Sequence, residues 1–272
     1  MTHFDRRQFA KLLGSAGAGT WTFGAAALAQ GAGKVVIVGG GPGGATVAHM
    51  VKKGAPALDV TLVETQRTYT TCFFSNLYLG GFRTLPSLTH SYDNLRRLGV
   101  NVVHDVATDV DTAKKTVKLR GGRTLPYDKL VLSPGIDFKW DSVPGYSERV
   151  AQIMPHAYKA GPQTALLKKR IEAMPANGVV LMVNPPSPYR CPPGPYERMS
   201  MIGHYLKTRK PKAKLIVLDP KKDIISKAGP FKEAWETTYK DIIEVRLSTE
   251  IDSQAVTAID PKAMTEIGRA HV

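Results

Sequence analysis

The stretch KVVIVGGGPGGATVAHMVKK, Lys34 to Lys53, constrains this chain more than any other. A run of β-branched residues ends in Gly39, Gly41 and Gly44, spaced G-x-G-x-x-G, and a helical pattern of apolar positions begins at once. Strand, glycine turn and helix in that order leave free backbone N–H groups at a helix N-terminus, where a pyrophosphate can sit. The next strand, DVTLVE, ends on Glu64, twenty residues past Gly44, where a carboxylate can accept from a ribose hydroxyl. The stretch therefore opens a dinucleotide-binding unit, with Gly39, Gly41, Gly44 and Glu64 as its candidate binding residues. The fingerprint alone does not separate FAD from NAD.

The rest of the chain keeps alternating strand and helix. The pattern predicts a helix around Ser87 to Leu98, several short strands after Val100, and a buried strand at Leu130 to Leu132. SVPGY, Ser142 to Tyr146, is a proline-glycine break and the expected domain boundary. Beyond it GVVLMVN, AKLIVLD and IIEVRL read as strands, with a helix from about Tyr196 to Leu206 after the first. The expected fold is α/β: two Rossmann-like three-layer domains, an FAD-binding half over 30–145 and a second unit over 146–265 without a glycine loop. The pattern stops at AIDPKAMTEIGRAHV, although a strand is expected to continue after Ile259 and a parallel sheet needs more strands to bury its helices. Residues 266–272, EIGRAHV, match one reading frame of a common sequencing adapter, so the expectation is a truncated gene model ending in artefact.

The chain has 272 residues, 43% of them hydrophobic, enough for one large or two ordinary domains with cores. Its net charge of +14 is spread along the sequence without basic stripes or interleaved aromatics, which argues against a nucleic-acid partner. The first 29 residues carry paired Arg6 and Arg7, Phe9, Lys11, a weakly apolar Gly/Ala stretch and an Ala27-Leu28-Ala29 cleavage-like site. They resemble a twin-arginine export signal, which predicts a periplasmic protein with no stable membrane anchor, since the apolar part is short and glycine-rich. In that oxidising compartment the two cysteines need explaining.

Cys72 lies in TQRTYTTCFFSNLYLGG, just after the ribose carboxylate, where a loop can reach along a dinucleotide toward its ring end. It can equally be a buried small hydrophobe or half of a disulfide with Cys191. Cys191 lies in VNPPSPYRCPPGPYER, where prolines replace the usual phosphate glycines. A helix N-terminus and the neighbouring Arg190 both favour a reactive sulfur, and Glu197 follows closely enough to take a proton. The missing glycine loop makes a pyridine nucleotide an unsuitable electron donor. No metal-ligand spacing and no C-x-x-C-H haem motif is present.

VVIVGGGPGG, YTTCFFSNLYLGG, YDKLVLSPG and VNPPSPYRCPPGPYERMSMI together resemble the flavoprotein subunit of flavocytochrome c sulfide dehydrogenase, over about Lys34 to Ile259. The resemblance implies an FAD/NAD-linked reductase fold and FAD joined covalently to Cys72 through its 8α-methyl group. It implies that Cys191 forms a redox-active disulfide with a later cysteine, for which this sequence has no candidate. It further implies oxidation of hydrosulfide to sulfur or polysulfide, Glu197 managing the proton, with electrons passing to a c-type cytochrome subunit that alone carries haem. The alternatives are a sulfide:quinone oxidoreductase, and a non-catalytic flavin- and sulfur-binding component of a sulfur-oxidation complex.

Overall fold

A computed structural model describes residues 33–156, 158–248 and 256–268, so the expected export segment lies outside the described residues. The first unit is built on β1 (Lys34–Val38), α1 (Pro42–Gly54) and β2 (Asp59–Val63). After β2 come β3 (Thr68–Thr70), α2 (Ser75–Gly80), β4 (Thr89–Ser91), α3 (Asp93–Arg97) and β5 (Asn101–Val103). An antiparallel meander β6 (Ala107–Asp111), β7 (Thr116–Leu119) and β8 (Thr124–Pro126) leads into β9 (Lys129–Leu132).

The main sheet is parallel, in the order β5-β2-β1-β9. Because side chains alternate along a strand, Val35 and Ile37 of β1 face one core with Ala48 and Leu95 from the helices. Val36 faces the other core, with Val117 and Leu119 of the meander. This is the three-layer arrangement expected from the sequence. Two local expectations fail. The helix expected over Ser87–Leu98 shrinks to α3, because Thr89, His90 and Ser91 extend to pair with Thr70, Tyr69 and Thr68 of β3. The strand expected to be buried at Leu130–Leu132 is an edge strand, and Leu132 is 59% exposed.

The irregular stretch 133–161 contains the proline-glycine break and leads to α4 (Pro162–Ala173). The second unit follows: β10 (Val179–Val183), α5 (Gly194–Arg209), β11 (Lys214–Asp219), α6 (Ala228–Glu236) and β12 (Ile243–Leu247), with a parallel sheet β10-β11-β12. Tyr196, Met199, Ile202 and Leu206 recur every three or four residues along α5 and bury one helix face against Leu215, Val217 and Trp235. The strand expected to run on past Ile259 turns back as a hairpin, β13 (Val256–Asp260) with β14 (Thr265–Gly268), which takes in the start of 266–272.

One feature joins the halves and another shows their likeness. Leu79 of α2 is fully buried in the second unit's core, not the first's. The sheets also repeat one register: Val38 pairs with Val63 and the Gly39 N–H donates to the Val63 carbonyl at 2.8 Å, while Val183 pairs with Leu218 and the Asn184 N–H donates to the Leu218 carbonyl at 2.9 Å. Asn184 thus stands where the first unit has Gly39, and Asp219 where it has Glu64.

Candidate active site

The glycine turn has the geometry a phosphate needs. Gly39 runs at φ +98°, and a Cβ there would lie 2.0 Å from the Ser133 carbonyl oxygen. A Cβ on Gly44 would lie 1.8 Å from the Gly39 carbonyl oxygen, so this glycine lets helix and turn close together. Gly41 is the N-cap of α1, whose first turn carries no acidic residue, so the helix's positive end is left for an anion. Glu64 is pinned behind the turn: Oε2 accepts from the Gly40 N–H at 2.6 Å, and Oε1 from the Gln66 N–H at 2.8 Å and the Thr65 hydroxyl at 3.0 Å. Oε1 is thereby filled, and Oε2 keeps one lone pair for a further donor. The Tyr92 hydroxyl donates to the Gly40 carbonyl at 3.0 Å; burial first, and then the Glu64 charge, push its pKa upward and keep the proton on it.

Cys72 occupies the turn between β3 and α2. Its carbonyl accepts from the Ser75 N–H at 3.1 Å and the Ser75 hydroxyl at 2.7 Å, and Phe74 beside it adopts φ +65°. Cys72 is exposed and joined to nothing, so neither the buried hydrophobe nor the Cys72–Cys191 disulfide is present. Cys191 is also a free, exposed thiol. It lies before the helix and not in its first turn, because Pro192 and Pro193 intervene and Pro193 is the N-cap of α5. Cys191 is held at φ +60°, a region that costs a non-glycine residue about 1–2 kcal/mol and persists only where surroundings impose it. Its Sγ is 3.0 Å from where a Cβ on Gly194 would sit. Around it Tyr189 donates to the Pro192 carbonyl at 2.8 Å, and the Tyr158 hydroxyl bonds to the Arg190 carbonyl.

Glu197, in the first turn of α5, accepts from Asn76 Nδ2 at 3.3 Å, which ties it to the Cys72 side of the molecule. Asn76 Oδ1 is buried with no partner. One cleft of about 2370 Å³ is lined by Gly39, Gly41, Glu64, Cys72, Cys191 and Glu197. The structure thus brings six of the seven sequence-selected residues to one space, with Gly44 packed behind it. Glycine turn, uncompensated helix end, a spare lone pair on Glu64 Oε2 and an orphaned acceptor fit a flavin dinucleotide.

Several residues of the site carried no reading in the sequence. Arg198 is 7% exposed and donates through Nη2 to Ser75 Oγ at 2.9 Å; burial lowers its pKa to about 10, while both thiols and Glu197 act the other way, so it stays cationic. His156 packs 4.3 Å from the Phe138 ring, and burial, then Lys159 and Arg198, lower its pKa to about 4, so it is neutral near pH 7. Behind the Cys191 loop, Asp219 is fully buried; it pairs with Lys221 Nζ at 2.6 Å and accepts from Asn184 Nδ2 at 2.9 Å and the Tyr196 hydroxyl at 3.2 Å. Lys221 Nζ also donates to the Pro185 carbonyl at 2.9 Å. The acid at the ribose position of the second unit is therefore occupied from within. A signal existed: a carboxylate ends the second strand of each unit. Among the described residues no cluster of three or more His, Cys, Asp and Glu side chains could hold a metal ion.

Two family models match the chain: "Pyridine nucleotide-disulphide oxidoreductase" over residues 33–171, and "Sulfide dehydrogenase [flavocytochrome c] flavoprotein chain, central" over 164–271. A mitochondrial sulfide:quinone oxidoreductase of Dictyostelium discoideum is 25% identical over 178 residues, 64% of this chain, which spans 39% of that protein's length. A flavocytochrome c sulfide dehydrogenase flavoprotein chain of Chlorobaculum thiosulfatiphilum is 51% identical over 43 residues, 16% of this chain and 90% of that sequence. In three dimensions the chain is similar to the sulfide:quinone oxidoreductase of Aquifex aeolicus, with TM-score 0.65 at 20% identity over 85% of this chain and 53% of that one. A glycine turn at β1, a second Rossmann-like unit without one, and these matches agree: the chain belongs to the pyridine nucleotide-disulphide oxidoreductase family, with a second unit of the kind found in flavocytochrome c sulfide dehydrogenase flavoprotein chains.

Proposed function

We propose that the chain is an exported, FAD-dependent sulfide dehydrogenase flavoprotein, oxidising hydrosulfide to sulfur or polysulfide at Cys191 and working with a c-type cytochrome subunit. The observation that carries this reading is the convergence of Cys72, Cys191 and Glu197 on the cleft that holds the glycine turn. The N-terminus of α1 would take the pyrophosphate, Glu64 the ribose, and Cys72 the flavin ring through a covalent bond. When bound, FAD would accept the electron pair released at sulfur and pass it on singly. Joining hydrosulfide to the Cys191 thiol as a persulfide would release one proton with those two electrons, and Glu197 would take the proton. The covalent bond would keep the cofactor on a protein that works where it cannot be replaced.

A second reading, a quinone-reducing sulfide oxidoreductase, is favoured by the long stretch shared with the Dictyostelium protein. Acid precipitation of the native protein separates the two. Yellow colour held in the pellet, mapping to the Cys72 peptide and lost in Cys72→Ser, is the expected result. Flavin released to the supernatant by the unaltered protein overturns the covalent reading and leaves the quinone-reducing one.

A further inference from the structure

Arg198 presents a charge that the reading above does not use. It lies on α5 with 7% of its surface exposed, and burying a charge is costly unless an opposite charge or strong hydrogen bonds compensate it. Among the described residues no carboxylate is within ion-pair distance of it, and its one hydrogen bond goes to a neutral hydroxyl, Ser75 Oγ. A guanidinium has five N–H donors, so most of its capacity is unused. It lines the cleft with both cysteines.

Its position is set from two sides. Ser75 donates to the Cys72 carbonyl, so Arg198 is tied through one hydroxyl to the Cys72 turn. Gly194 lies four residues before Arg198 on the same helix face, and the Cys191 Sγ rests over Gly194. The other groups around this space do not supply the missing charge. Glu197, the next residue, acts on Arg198 only at longer range and makes no ion pair with it, its Oε2 accepting from Asn76 at 3.3 Å. Lys159 faces Asp137 at 3.5 Å, Arg190 is exposed, and Tyr158, Tyr189 and His156 are neutral near pH 7.

We infer that Arg198 is the anion-receiving group of the cleft, taking a small anionic sulfur species and holding it beside Cys191. On the functional reading above, on which the identity of the anion rests, that species is hydrosulfide.

The test measures charge at the sulfur without using the enzyme's activity. Cys191 in the full chain is alkylated with iodoacetate, an anion, and with neutral iodoacetamide, and both rates are followed by peptide mass mapping. Both reagents consume the same nucleophile, so the ratio of rates reports local potential. The ratio in the folded chain should exceed that in the same chain unfolded in urea by about tenfold. Arg198→Gln should remove the excess, Arg198→Lys should keep most of it, and Arg190→Gln should leave it within about twofold. Equal ratios in folded and unfolded chain overturn the inference without any variant, and so does an excess that survives in Arg198→Gln. In the flavin-loaded enzyme the same substitution should raise the KM for sulfide about tenfold with kcat within about threefold; a loss in kcat alone overturns a binding role. Sulfide failing to reduce the flavin of the unaltered enzyme, while the alkylation excess holds, removes the functional reading and supports the anion site.

Discussion

At Gly39 the backbone runs at φ +98° and a Cβ would meet the Ser133 carbonyl oxygen at 2.0 Å, whereas at Gly41 φ is −68° and the nearest protein atom to a Cβ is 3.9 Å away. The first glycine serves the fold and the second serves whatever enters the cleft. Gly39→Ala is therefore expected to destabilise the protein by more than about 2 kcal/mol in denaturant titrations. Gly41→Ala should change stability by less than about 0.5 kcal/mol yet lower the flavin bound per protein, because the methyl group fills the space a pyrophosphate needs. A Gly41→Ala protein with full flavin content would remove the cofactor from the N-terminus of α1. Gly39, Gly44 and Glu64 were legible because their spacing is local. Arg198 was not, since its burial comes from α2, more than a hundred residues earlier in the chain.

Among the elements, the Cys191 loop shows what a nucleotide unit becomes once its turn is rebuilt. Asn184 fills the glycine position, and Lys221 neutralises the acid at the ribose position while holding the Pro185 carbonyl. Removing one partner of a buried ion pair leaves the other uncompensated, so Lys221→Met should cost about 3–5 kcal/mol, and adding Asp219→Asn should recover much of it. If the single variant unfolds at the same denaturant concentration as the parent, the pair is not holding the loop. The strands β1, β2, β10 and β11 were legible as apolar runs bounded by turns. The segment 87–98 misled because its helical pattern competes with a pairing partner, β3, that only the tertiary structure supplies.

For the molecule as a whole, Leu79 decides how independent the halves are. Its side chain belongs to the second core, and the Lys168 Nζ donates to its carbonyl at 2.8 Å from α4. Opening either unit therefore uncovers apolar surface in the other. Native-state hydrogen exchange should give the slowest amides of β1–β2 and β10–β11 the same free energy of opening, and Leu79→Ala should lower both by about 2–5 kcal/mol. Two distinct opening energies would mean that the halves unfold separately. The chain passes from one unit to the next beside its own return path: the Ile259 N–H donates to the Pro144 carbonyl at 2.9 Å, and Gly145 leaves no room for a side chain against the Ile259 carbonyl. A module whose two ends cross at one point can be exchanged without rethreading its host. Residues 145–259 accordingly have the layout of a cassette keyed to its host by Leu79, within which the Cys191 loop can be rewritten so long as the crossing and the Leu79 pocket are kept.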